Sequence, residues 1–129
     1  EYVLPRLVGF ERAFELLVRA PRLSGEEAVA WGLAGRSVPG GEVLNTALEI
    51  AGEIATHCAP LPVGLHKHLL WRGLDMPLGD LAALESRALN YTMTRPDAVE
   101  GGMAYFERRE PDWGGSIKDD WPDWLSSDS

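Results

Sequence analysis

Leu33 to Val38 is the only stretch of this 129-residue chain that reads as a β-strand, and helical segments flank it on both sides. A lone strand constrains a fold severely. Its backbone N–H and C=O groups cannot be buried unpaired, and the natural partners of a strand are other strands. None is visible in this sequence, so the partners are expected upstream. The opening Glu1-Tyr2-Val3, which lacks a Met, points the same way.

The remaining segments read as helices separated by Pro and Gly. Phe10, Ala13, Phe14, Leu17 and Val18 recur at spacings of three and four, the apolar stripe of an amphipathic helix over Gly9 to Ala20, closed by Pro21. Ser24-Gly25-Glu26-Glu27 is a capping box that opens a short helix, with Gly32 as its left-handed stop. Pro39-Gly40-Gly41 breaks the strand. Leu44, Ala47, Leu48, Ala51, Ile54, Ala55 and Cys58 then share one face of a helix from about Glu42 to Cys58. Pro60 and Pro62 end that helix, and Pro62 is placed at the first position of the next, which runs to Arg72 with Gly73 just beyond. A further helix carries Leu78, Leu81, Ala82, Ala88 and Leu89 and stops before Arg95-Pro96. Asp97-Ala98-Val99-Glu100 reads as a second capping box, starting a last helix through Arg109. The tail from Gly114 to Ser129, rich in Asp, Ser and Gly, is expected to be irregular.

Charge and composition exclude several classes. A net charge of −8 argues against a nucleic-acid backbone as partner, which needs clustered Lys and Arg. No apolar run approaches a membrane span, so no membrane partner is expected. Cys58 is the single cysteine, so no intrachain disulfide can form, and a reducing, cytoplasmic setting is the simpler reading.

No self-contained reaction centre emerges. His57 and Cys58 are adjacent, and adjacent helical residues point about a hundred degrees apart. Cys58 continues the apolar stripe and reads as a buried structural thiol. His66 and His68 are two apart, a poor spacing for a helical metal pair, and Lys67 sits between them. No cofactor is expected. Tyr105-Phe106-Glu107-Arg108-Arg109 differs in kind, because it sets two aromatic rings beside two guanidinium groups. Composition alone favours a packing helix with a charged edge. The alternative is an anion site with an aromatic wall, since guanidinium forks match phosphate oxygens.

Several of these segments, in this order, resemble the enoyl-CoA hydratase/isomerase (crotonase) family. The match runs through Leu4-Pro5-Arg6-Leu7-Val8-Gly9, Leu23-Ser24-Gly25-Glu26-Glu27-Ala28, Trp31-Gly32-Leu33 with Val38-Pro39, Ala59-Pro60-Leu61 with Lys67, and Asp97-x-x-Glu100-Gly101 leading to Trp113. Each motif is weak alone; five in order are specific. Two departures stand out. Arg108 replaces the usual Lys, and the tail past Trp113 has no counterpart in the pattern.

The resemblance implies a fold that is mainly α in this chain, the C-terminal helical part of a crotonase-like (spiral ββα) α/β fold. Residues 1–41 would end the spiral core, 42–113 would form a helical trimerisation region, and 114–129 would be the tail. It implies an acyl-CoA thioester as substrate, a homotrimer or homohexamer, and Tyr105 and Arg108 as substrate-binding residues. The catalytic carboxylates and oxyanion amides would lie upstream of Glu1, with none in this chain, and coenzyme A would enter only as part of the substrate. The rival reading is a non-catalytic helical assembly module.

Overall fold

The computed structural model describes residues 1–126 and, among them, contains helices and connecting loops only. In chain order these are α1 (Leu4–Val8), α2 (Phe10–Arg19), α3 (Gly25–Ala30), a 3-10 turn (Gly40–Glu42), α4 (Val43–His57), α5 (Pro60–Arg72), α6 (Leu78–Met93), α7 (Pro96–Glu107), α8 (Ile117–Asp120) and α9 (Asp123–Ser126). Two compact units divide the chain between Ala47 and Leu48.

In the first unit, the LPRLV segment forms α1. Pro5 is tolerated in its first turn because the N–H it lacks would have no acceptor there. Gly9 (φ +82°) makes the reversal into α2. The capping box at Ser24 forms as expected: the Glu27 amide donates to Ser24 Oγ at 3.1 Å, and the Ser24 amide donates to Glu27 Oε2 at 2.7 Å. At the other end of α3, Gly32 (φ +80°) donates to Val29 O while Leu33 donates to Ala28 O, the paired bonds of a Schellman stop. The strand expected over Leu33–Val38 does not form; those residues run without regular structure. No strand lies beside them among the described residues, so the ladder bonds that would define one have no second half.

The second unit is built on α5 and α6. Leu61, Leu65 and Leu69, one turn apart, are buried with Ala88 of α6 and Leu125 of the tail. Full burial of a Leu side chain is worth roughly 1.5–3 kcal/mol, so this cluster anchors the unit. Two boundaries differ from expectation. Pro60, not Pro62, is the first residue of α5, since both prolines fit within a first turn that has unused N–H groups. α7, expected to be the last helix and to run through Arg109, spans Pro96–Glu107, so Asp97 and Glu100 lie inside it and form no capping box.

The tail also departs from expectation over its described part. α8 and α9 are one-turn helices, and Pro122 is completely buried. Residues 127–129 of the tail lie outside the described residues. Cys58 is exposed rather than buried. The apolar stripe it continues, with Leu44, Leu48 and Ile54, is itself uncovered on α4 among the described residues.

Candidate functional site

The C-terminal end of α7 carries the side chains singled out from sequence. Tyr105 and Phe106 are each 81% exposed and meet edge to face, ring centres 5.9 Å apart. Arg108 is exposed and sits in the left-handed region at φ +55°. The stop it makes repeats that at Gly32: Arg108 N–H donates to Tyr105 O, and Arg109 N–H donates to Ala104 O. A glycine is the favoured residue in that role, because a side chain there crowds the backbone.

The two neighbouring arginines are divided in role by this stop. Arg109 donates to Glu100 through Nη1 (2.5 Å) and Nη2 (2.9 Å), and to Glu107 through Nε (2.7 Å). Glu100 Oε1 also accepts the Asp112 amide at 2.7 Å. Arg109 first, then that amide, hold the Glu100 carboxyl at about 2, well below the usual carboxylate range; the same carboxylates push Arg109 upward. Arg108 has no ion pair or side-chain hydrogen bond among the described residues. Arg108 and Tyr105 are both exposed, a cation and an aromatic ring at the end of α7.

One turn before Glu100, Asp97 is 8% exposed and accepts the Gly114 amide at 2.9 Å and the Gly115 amide at 3.1 Å. Asp97 and Glu100 thus fasten the chain that leaves α7 back along that helix. Their spacing had signalled a capping box. The signal for their actual role was the Gly-Gly pair downstream, whose bare amides can approach a carboxylate closely. Trp113 Nε1 then donates to Thr56 O at 3.0 Å, tying the same loop to α4.

The other candidates disperse. His66 borders an open apolar groove of about 700 Å³ along α5 and α6, while His68 packs edge-on against Trp121 on another side of α5. No group of three or more potential metal ligands exists among the described residues. A smaller cleft of about 290 Å³ is bordered by Leu61, Met93, Arg95, Asp97, Trp113 and Asp120. No helix of the described residues is long and apolar enough to cross a membrane.

Residues 1–116 match the family described as enoyl-CoA hydratase/isomerase. The chain belongs to that family. Among its relatives, the short-chain-enoyl-CoA hydratase of Clostridium acetobutylicum is 34% identical over 107 residues, which is 83% of this chain and 41% of that protein. The carnitinyl-CoA dehydratase of Proteus mirabilis is 32% identical over 105 residues, 78% of this chain and 40% of its own length. Among solved structures, a probable enoyl-CoA hydratase/isomerase from Mycobacterium abscessus superposes with a TM-score of 0.87 at 41% identity, covering 89% of this chain and 46% of that one. Enoyl-CoA hydratase from Bacillus anthracis gives 0.81 at 34% identity, with 88% and 43% coverage. The chain therefore spans about two fifths of the length of the curated relatives it matches. This family member is the helical C-terminal part of the crotonase-like fold.

Proposed function

We propose that this chain is the C-terminal segment of an acyl-CoA enzyme, an enoyl-CoA hydratase or isomerase, and that the end of α7 contributes to its coenzyme A site. The observation that carries the reading is the family match over residues 1–116. Relatives named for hydration and dehydration of CoA thioesters support the substrate class.

The chemistry follows from the thioester. Two backbone N–H groups polarise its carbonyl and stabilise the enolate-like transition state, and a carboxylate moves the proton or activates water. Those groups are assigned to sequence upstream of Glu1. The role left to this chain is to hold the ligand's remote part. The Arg108 guanidinium suits a phosphate, and the Tyr105 ring suits an adenine face. No cofactor is required for this reaction beyond the coenzyme A that the substrate carries.

Assembly belongs to the same proposal. Phe10, Phe14, Leu17 and Val18 on α2, and Leu44 and Leu48 on α4, are exposed in this chain. Apolar faces of this breadth call for cover in the intact protein. We assign residues 42–113 to subunit contacts in a homotrimer or homohexamer, soluble in the cytoplasm, with no nucleic-acid or membrane partner.

The test is turnover of crotonyl-CoA, followed by loss of the conjugated enoyl absorbance. The intact protein should hydrate it, and residues 1–129 alone should not. Turnover by residues 1–129 alone would overturn the assignment of the catalytic groups upstream. An intact protein inert toward enoyl-CoA thioesters that also fails to bind coenzyme A would return the chain to the assembly-module reading.

A further inference from the structure

The residues that match the family stop at Ser116, yet the chain continues and folds. We infer that residues 117–126 are an intramolecular strap that covers a ridge on the α5–α6 pair and suppresses self-association there. The inference does not depend on the acyl-CoA reading.

Helical geometry separates three faces of α5. Leu61, Leu65 and Leu69 point into the core, and His66 and Leu70 border the open groove, whose floor Leu65 and Leu69 share. Gly64 and His68, four apart and therefore on one face, meet the tail. On α6 the corresponding positions are Arg87 and Tyr91, again four apart. The strap lies on the ridge formed by these positions and leaves the groove face bare.

The fit between ridge and strap is specific at each point. A Cβ at Gly64 would stand 3.2 Å from both Ile117 Cδ1 and Trp121 Cζ3, so the missing side chain is the space the strap occupies. The Trp121 ring takes the edge of His68 at 5.6 Å. The Trp124 ring meets Tyr91 edge to face at 6.1 Å and lies under the Arg87 guanidinium at 4.2 Å. Tyr91 Oη donates to Asp120 O at 3.0 Å, and Arg95 stands 3.8 Å from the Asp120 carboxylate. Leu125 joins the buried core with 4% exposure.

The strap is also closed at its root. Asp120 Oδ2 accepts the Ser116 amide at 2.8 Å, and Asp97 holds Gly114 and Gly115 immediately before it. A short segment with apolar side chains on one side and Asp119 and Asp123 on the other is fitted to cover a ridge and present a solvated surface. Without it, the core cluster that Trp121, Trp124 and Leu125 join would lose that cover, and exposed apolar surface drives self-association.

The experiment compares the intact protein with the same protein ended after Ser116. The shortened form should melt roughly 5–10 °C lower. It should also sediment as larger, concentration-dependent species, and a synthetic peptide of residues 116–129 added in excess should reverse both changes. Identical melting and sedimentation of the two forms would overturn the proposal, as would a destabilised short form that saturating peptide does not rescue. If the short form does not fold, Gly64→Leu in the uncut chain replaces it. Leu is the better helix former, so α5 itself is not weakened, but its side chain competes for the site of Ile117 and Trp121. Hydrogen exchange at the Asp120 and Leu125 amides should then accelerate severalfold while the α5 amides stay protected. Unchanged protection of those two amides would count against the strap.

Discussion

Arg109 grips the carboxylate of Glu100 with two parallel hydrogen bonds, 2.5 and 2.9 Å long, across the reversal that ends α7. The geometry is a fork on a fork, and it places both partners on the chain's own fold-back rather than on a ligand. Its neighbour Arg108, itself the left-handed residue of that reversal, is left for other work.

The first prediction is a pH dependence. Glu100 is held at about 2 in the folded chain against an ordinary value of 4.5. A carboxyl lowered by folding stabilises the fold wherever the unfolded group is ionised, and that contribution disappears as pH falls from about 4.5 through about 2. Glu100→Gln should therefore unfold more easily than wild type at neutral pH, and the difference should shrink as pH falls toward 2 and vanish below it. Denaturant titrations at stepped pH measure it; a gap independent of pH would contradict the assignment.

The second prediction concerns Asp97. Asp97→Ala removes the acceptor for the Gly114 and Gly115 amides, which are held in a half-buried loop. Leaving such donors unsatisfied costs about 1–3 kcal/mol. Asp97→Asn should cost less, because its carbonyl oxygen can still accept one amide. Urea unfolding of both variants gives the order, and equal losses would show that charge rather than hydrogen bonding matters there.

These two carboxylates mark where the sequence was legible and where it was not. Local rules worked wherever local chemistry decides: the Ser24–Glu27 box, the glycine stop at Gly32, and the end of α5 at Arg72 before Gly73 all form. Asp97 and Glu100 have the same three-residue spacing as Ser24 and Glu27, but Pro96 fixes the helix start ahead of them and their partners lie 9 to 18 residues onward. Long-range partners of that kind leave no periodic trace. The strap was missed for the same reason, since its Trp and Leu residues are too few and too irregular to form a stripe. The strand failed in the opposite sense: Leu33–Val38 has the side chains for one, but a ladder needs a second chain segment. At the candidate site, the Tyr105–Arg108 spacing was readable, whereas the left-handed backbone at Arg108 was not.

The third prediction tests assembly. Leu48 is 61% exposed on α4, so Leu48→Asp removes no core contact within this chain. In the intact protein it should leave the melting of the isolated subunit nearly unchanged while breaking the trimer or hexamer, because a carboxylate would be buried at a subunit contact. Sedimentation velocity distinguishes the outcomes. A variant with wild-type assembly would remove α4 from the interface.

The last prediction uses the backbone at Arg108 to separate binding from folding. Arg108→Ala and Arg108→Gly delete the same guanidinium, so both should weaken coenzyme A binding alike, by about tenfold to a hundredfold. Because the side chain is exposed, the loss should sit toward the lower end and shrink with added salt. Stability should part the two variants. At φ +55° glycine carries no Cβ to crowd the preceding turn, so Arg108→Gly should be more stable than Arg108→Ala by roughly 1 kcal/mol. Tyr105→Ala completes the set, since it removes a ring that is 81% exposed and no charge, and its binding penalty should be insensitive to salt. Calorimetric titration of coenzyme A into the intact protein at two ionic strengths, beside thermal melts, reads all four quantities. Equal affinity in wild type and both Arg108 variants, with the stability split still present, would show that the residue ends a helix and does nothing for the ligand.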